Sequence, residues 1–162
     1  MTRLPSKIRK LPTFGRMGIT KAQKAILDSL WSQAVKARAG QRCEVTLRKG
    51  IRLESHHFYG RRNLSVRWVV SNGFSLGHDK HRWAEEQPAE FMAWAIKSRG
   101  QQWFDDLQMQ SRMLKTFKEY RLIKAYLESF LWMNHMFHYT MKKTHHPRWH
   151  GTVRAWLFKR HC

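Results

Sequence analysis

The sequence predicts an α+β protein: a small strand–strand–helix unit embedded in a mainly helical chain. Three observations carry that prediction. Apolar residues recur at helical spacing before residue 40 and again after residue 88. Between those stretches, residues 43–46, 51–57 and 73–76 read as short strands separated by turn residues. The window 51–85 also gathers a histidine pair, His56 and His57, then Asn72, then His81 with Glu85 four positions later.

Composition bounds the partners. The 162 residues suit one domain with a helical extension, and a 42% hydrophobic content favours a folded core over disorder. Lys and Arg number 31 against 11 Asp and Glu, for a formal charge of +20. Such an excess points to a polyanion, with nucleic acid the leading candidate and a ribosome-like structural binder or mere solubility the bland alternatives. Cys43 and Cys162 make no disulfide framework, so a reducing, cytoplasmic compartment is expected. No apolar run approaches a membrane span, and the basic N-terminus lacks the apolar segment of a signal peptide.

Taken in order, residues 1–19 carry Arg3, Lys7, Arg9, Lys10 and Arg16 without an acid, which reads as an extended basic arm or a solvated tail. Thr20 is placed to cap a helix over 21–39 that Gly40 ends, with Ala22, Ala25, Ile26, Leu30 and Val35 as its apolar stripe. This helix is expected to pack against the central unit. Strands over 43–46 and 51–57 then flank a turn at 47–50, and the second strand delivers the histidine pair. Residues 58–71 read as a loop holding Arg61, Arg62 and Arg67 beside Tyr59 and Trp68. Arginines mixed with aromatics suit phosphate clamping, whereas Trp68 suits closing the loop onto the core. A short return strand over 73–76 leads into a helix with His81, Arg82 and Glu85.

Pro88 opens a further helix that ends near Gly100, with Phe91, Trp94 and Ala95 on its apolar face. Helical spacing continues over 101–117 with Trp103, Phe104, Leu107 and Leu114. It resumes over 118–137 with Leu122, Tyr126, Phe130 and Met133. These helices are expected to buttress the core or to offer a dimer surface. Residues 139–162 form a tail rich in Lys, Arg, His and Trp; the spacing of His145, His146, His150, His161 and Cys162 matches no closed zinc site.

The chemistry follows from spacing. Adjacent residues on a strand face opposite ways, so one imidazole of the pair can bind a metal while the other faces a substrate. His81 and Glu85, at i and i+4, share a helix face and can close on the same ion. Two ligand sources, one free base and an amide between them suit metal-assisted hydrolysis.

The order His56-His57, Asn72, His81 resembles the HNH nuclease family, whose catalytic unit is a β-hairpin and a helix around one metal ion. The resemblance covers roughly residues 40–87, so it implies a ββα-metal nuclease core over 20–87 with its preceding helix. Around that core lie a basic arm (1–19), a helical extension (88–138) and a basic tail (139–162). It implies that His56 and His81 are metal ligands, that His57 is the general base, and that Asn72 holds the loop that orients it. Glu85 stands where many members carry a second histidine, and Glu54 matches an acid that supports the site in colicin-type members. Arg61, Arg62 and Arg67 would bind substrate. The implied reaction is hydrolysis of DNA phosphodiester bonds to 5′-phosphate and 3′-hydroxyl ends with one divalent ion, Mg, Mn, Ni or Zn.

Many such proteins add two Cys-x-x-Cys pairs on a structural zinc. Here the corresponding stretches read Cys43-Glu44-Val45-Thr46 and Gly77-His78-Asp79-Lys80. With one thiol left and Lys80 in place of another, no structural zinc is expected. Two other readings compete: a non-catalytic nucleic-acid binder built on a decayed unit of this kind, and a dimeric nuclease that resolves branched DNA.

Overall fold

The computed structural model describes residues 19–113 and 120–143, with side chains to residue 137. The basic arm before residue 19, Leu114 and the tail beyond residue 143 lie outside the described residues. The architecture is α+β, as the sequence predicts. In chain order it comprises α1 (Lys21–Arg38), β1 (Leu53–His57), a 3₁₀ turn (Val70–Asn72), β2 (Gly73–Gly77), α2 (His78–Glu86), α3 (Pro88–Arg99), α4 (Gln101–Arg112) and α5 (Tyr120–Lys143). Among the described residues, no helix is long and apolar enough to cross a membrane.

Local chemistry sets the helix ends. Thr20 and Gln23 form a reciprocal capping box at the start of α1, and Gly40 leaves its end at a φ of +67° that glycine adopts freely. Pro88 opens α3, where its missing N–H costs nothing, and Gly100 separates α3 from α4 at a φ of +91°.

The sheet differs from the expected hairpin. Residues 43–46 form a turn rather than a strand, because Leu47 N–H donates to the Cys43 carbonyl (2.8 Å) and Cys43 N–H to the Arg48 carbonyl (3.0 Å). The segment closes on itself, and β1 pairs instead with the return strand β2, antiparallel, with His56 opposite Phe74 and His57 opposite Gly73. The Cys43 sulfur is fully buried inside that turn. Burial alone would push its thiol up, but hydrogen bonds from Thr46 and from the Gly77, Thr46 and Val45 backbone outweigh it and hold the pKa below its ordinary value.

Two apolar clusters flank the two-stranded sheet. Phe74 and Leu76 of β2 point into one of them, built with Ala84, Phe91, Ala95, Trp103 and Leu107 of α2, α3 and α4. The other joins Leu27, Trp31, Ala34 and Val35 of α1 to Trp68, Val70 and to Ile123 and Leu127 of α5. The buried stripe of α1 is therefore rotated from the expected one, and Ala22, Ala25 and Ile26 face solvent. Trp31 is the largest apolar side chain of the helix, and burying it with Leu27, Ala34 and Val35 sets the rotation that leaves Ile26 outside. Similarly, α5 buries Ile123 and Leu127, whereas the expected Leu122, Tyr126 and Met133 are exposed. Helix α5 also runs to Lys143, into the stretch expected to be tail.

Helix α1 lies directly on the sheet backbone. A Cβ at Gly73 would collide with Val35 and Trp31, so only glycine allows this approach. Ser55 Oγ donates to the Ser32 carbonyl (3.1 Å), fastening β1 to the same helix.

A single carboxylate joins these layers. Glu44 Oε1 accepts from Arg38 Nη2 of α1 (2.8 Å) and from Ser75 N–H of β2 (2.9 Å), and Oε2 accepts from Arg99 Nη2 of α3 (2.8 Å). The two guanidiniums also donate to carbonyls of the 3₁₀ turn and β2: Arg38 to Val70 and Gly73, Arg99 to Ser71 and Gly73. Burial pushes the Glu44 carboxyl up, but the charges of Arg38 and Arg99 outweigh that and hold it below the usual range. Removing the shared anion strands two largely buried cations. Glu44→Ala is expected to cost about 3–5 kcal/mol, measured as a lower urea midpoint at unchanged m-value; a loss below about 1 kcal/mol would contradict this role.

Candidate metal centre

The adjacent histidines of β1 face opposite sides of the sheet, as strand geometry requires. His56 turns towards α2 and α3, where its ring stands edge-on to His81 (5.0 Å between centroids) and to Phe91 (4.9 Å). His57 turns towards α1 and stacks flat on Trp31, 3.7 Å away and 13° from parallel.

On the first side, ligand atoms of His56, His81 and Glu85 lie within 4.8 Å of one another, so one ion can touch all three. His81 and Glu85 reach it from one face of α2, and His81 Nδ1 lies 3.6 Å from both Glu85 and Glu54. Glu54 in turn accepts from His78 Nδ1 (3.2 Å). That hydrogen bond, joined by the charges of His81, His78 and Arg52, holds its carboxyl below the usual value. Burial, then the neighbouring His81, lowers the His56 pKa to about 4, so its ring is neutral and one ring nitrogen keeps a lone pair for a metal near pH 7. Two imidazoles and a carboxylate make a mixed donor set that fits Mn, Ni or Zn better than Mg.

On the other side, the His57 ring is almost wholly enclosed, and burial lowers its pKa to about 4 despite the hydrogen bond to Arg67. Nε2 lies 3.0 Å from the Arg67 carbonyl, which can only accept, so Nε2 carries the proton and Nδ1 keeps the lone pair. Asn72, fully buried, grips the loop that supplies this carbonyl. Its Oδ1 accepts from Tyr59 N–H (2.8 Å), and its Nδ2 donates to the Tyr59 and Val66 carbonyls (3.0 Å each).

A cleft of about 270 Å³ runs between α1, β1 and α2, and His57 and His81 both line it, with Glu54, Ser32 and Ser55. Of the three arginines expected at the substrate, Arg61 lines this cleft, and Arg62 is exposed on the same loop. Arg67 has another partner. Its Nε and Nη2 donate to Asp28 (3.0 and 2.7 Å), and Trp68 Nε1 donates to the same carboxylate (2.8 Å). Asp28 and Trp31 are thus the site residues that sequence reasoning missed. The available signal was slight: Asp28 is the lone acid of an otherwise basic helix.

Two outcomes follow. Mn²⁺, Ni²⁺ or Zn²⁺ at about 100 times its Kd should stabilise the protein by about 2.7 kcal/mol in a thermal scan. His81→Ala should abolish that shift, and a shift that survives would remove the site. In the metal-free protein, His56 and His57 are neutral when folded but titrate near 6.5 when unfolded. The unfolded chain therefore binds more protons between pH 6.5 and about 4, and stability falls as pH drops through that window. The melting temperature should decline there, less so in His56→Asn; an equal decline in both would exclude His56 as a source.

In comparisons with known protein families, curated proteins and solved structures, none matches this chain.

Proposed function

We propose that the protein is a metal-dependent endonuclease that hydrolyses DNA phosphodiester bonds, with His57 as general base and one divalent ion held by His56, His81 and Glu85. One observation carries the reading: a single strand sends one histidine to a three-ligand cluster and holds the next as an enclosed, neutral imidazole, and His81 of the first side and His57 of the second line one cleft. The order of these residues, with Asn72 between them, supports it through the resemblance to HNH nucleases. The charge of +20 supports a nucleic-acid substrate.

The geometry supports a role for each residue. Neutral His57 accepts a proton from water at Nδ1, while the Arg67 carbonyl takes the Nε2–H and favours the imidazolium that forms. Arg61 at the cleft and Arg62 beside it bind the phosphate, whereas Arg67 fastens the loop to Asp28. Asn72 keeps the loop closed, and Glu54 holds His78 and His81 against β1. When bound, the ion supplies positive charge against the phosphate and the departing 3′ oxygen.

The test is cleavage of supercoiled plasmid and of branched DNA by wild type and His57→Ala, with Mg²⁺, Mn²⁺, Ni²⁺ or Zn²⁺ and with EDTA. Metal-dependent nicking that falls by at least about 100-fold in the variant, with DNA binding retained, is the expected outcome. Tight binding without cleavage of either substrate under any metal would replace this reading with a non-catalytic nucleic-acid binder.

A further inference from the structure

Helix α1 lies outside the strand–strand–helix unit, yet it touches the His57 ring and the loop that orients it. Trp31 stacks on the ring, and its Nε1 donates to the Val69 carbonyl (2.9 Å). One turn earlier on the same face, Asp28 takes two hydrogen bonds from Arg67 and one from Trp68. The helix therefore holds residues 67, 68 and 69 consecutively. Arg67 is the residue whose carbonyl accepts the His57 Nε2–H.

We infer that Asp28 is a positioning residue for His57: by holding the Arg67 and Trp68 side chains, it fixes the carbonyl that selects the Nε2–H tautomer and leaves Nδ1 as the free ring nitrogen. The inference rests on the proposed role of His57 as base, and it deepens that role. Asp28 touches neither the His57 ring by hydrogen bond nor the three metal-binding side chains. Its hydrogen bonds reach the ring through the loop, while its negative charge also acts on the ring across space. With the carboxylate removed, the Arg67 fork loses the anion it closes on, and the Trp68 indole N–H, in a side chain only 5% exposed, loses its acceptor. The segment then relaxes, and the Arg67 carbonyl leaves the plane of the imidazole. Asn72 does not replace it, because its hydrogen bonds go to Tyr59 and Val66, one residue short of Arg67.

The experiment reads the tautomer directly. Ring ¹⁵N and ¹H spectra of His57 are recorded at neutral pH on the full-length, metal-free protein, as wild type, Asp28→Ala and Asp28→Glu. The wild type should show one Nε2–H form with an observable ring proton. Asp28→Ala should show an average of both tautomers and no ring proton, with Asp28→Glu between them. In plasmid cleavage, Asp28→Ala should lower kcat by about 100-fold with KM changed by no more than about twofold. A wild-type His57 spectrum in Asp28→Ala, or a loss confined to KM, overturns the inference. Should Asp28→Ala fail to fold, Asp28→Asn keeps one oxygen acceptor without the charge and carries the same two readouts. The spectra need neither metal nor DNA, so the two readings fail separately. An altered spectrum in a protein that cuts nothing upholds the positioning and refutes the nuclease, and intact cleavage with an unaltered spectrum refutes the positioning alone.

Discussion

One buried carboxylate fixes the relation between the layers of this protein. Glu44 sits in a turn that belongs to no strand or helix, yet it collects a guanidinium from α1, another from α3 and a backbone N–H from β2. Each arginine then reaches past it to carbonyls at the start of β2 and in the 3₁₀ turn. Buried ions are tolerated when they are paired and further hydrogen-bonded, and here each guanidinium adds two backbone carbonyls to the shared carboxylate. The result is a set angle between α1 and the sheet. The stacking of Trp31 on His57 and the grip of Asp28 on the loop both depend on that angle.

The charge of the chain makes the distribution of its acids informative. Against an excess of +20, Asp28, Glu54 and Glu85 stand at the cleft or the metal cluster, and Glu44 stands in the frame behind them. Each of the first three is matched to a cation or an imidazole rather than left to solvent. Acids placed this way do not repel a polyanion from the surface as a whole. Among these acids, Glu85 alone joins two imidazoles in a group that could hold a metal ion, within a chain of strong positive charge.

Much of the fold was legible because it rests on local rules. Thr20, Gly40, Pro88 and Gly100 mark helix ends through capping and backbone chemistry that need no tertiary context. The opposite facing of His56 and His57, and the shared face of His81 and Glu85, follow from strand and helix periodicity alone. What escaped the sequence depends on contacts across the chain. The partner of β1 is β2 because residues 43–46 close on themselves, and the pattern of residues does not reveal that closure. The rotation of α1 is decided by Trp31 meeting the backbone at Gly73, and of α5 by Ile123 and Leu127 meeting α1. Arg67 looks like a phosphate ligand by its neighbours; the carboxylate it pairs with, Asp28, lies on another element.

The same separation has a kinetic side. His81 and Glu85 share one helical turn and form as soon as α2 does, a local event that closes no long loop. The contacts that mount His57 join Asp28 to Arg67 and Trp31 to Val69, spans of 39 and 38 residues, and the clamp from Arg99 to Glu44 spans 55. Such closures pay their chain entropy before any contact repays it. A partly folded chain therefore brings His81 and Glu85 together before β1 carries His56 to them and before α1 closes on His57. The complete His56, His81 and Glu85 group and the enclosed His57 thus arrive only with the long-range contacts, and until then neither side of β1 is assembled.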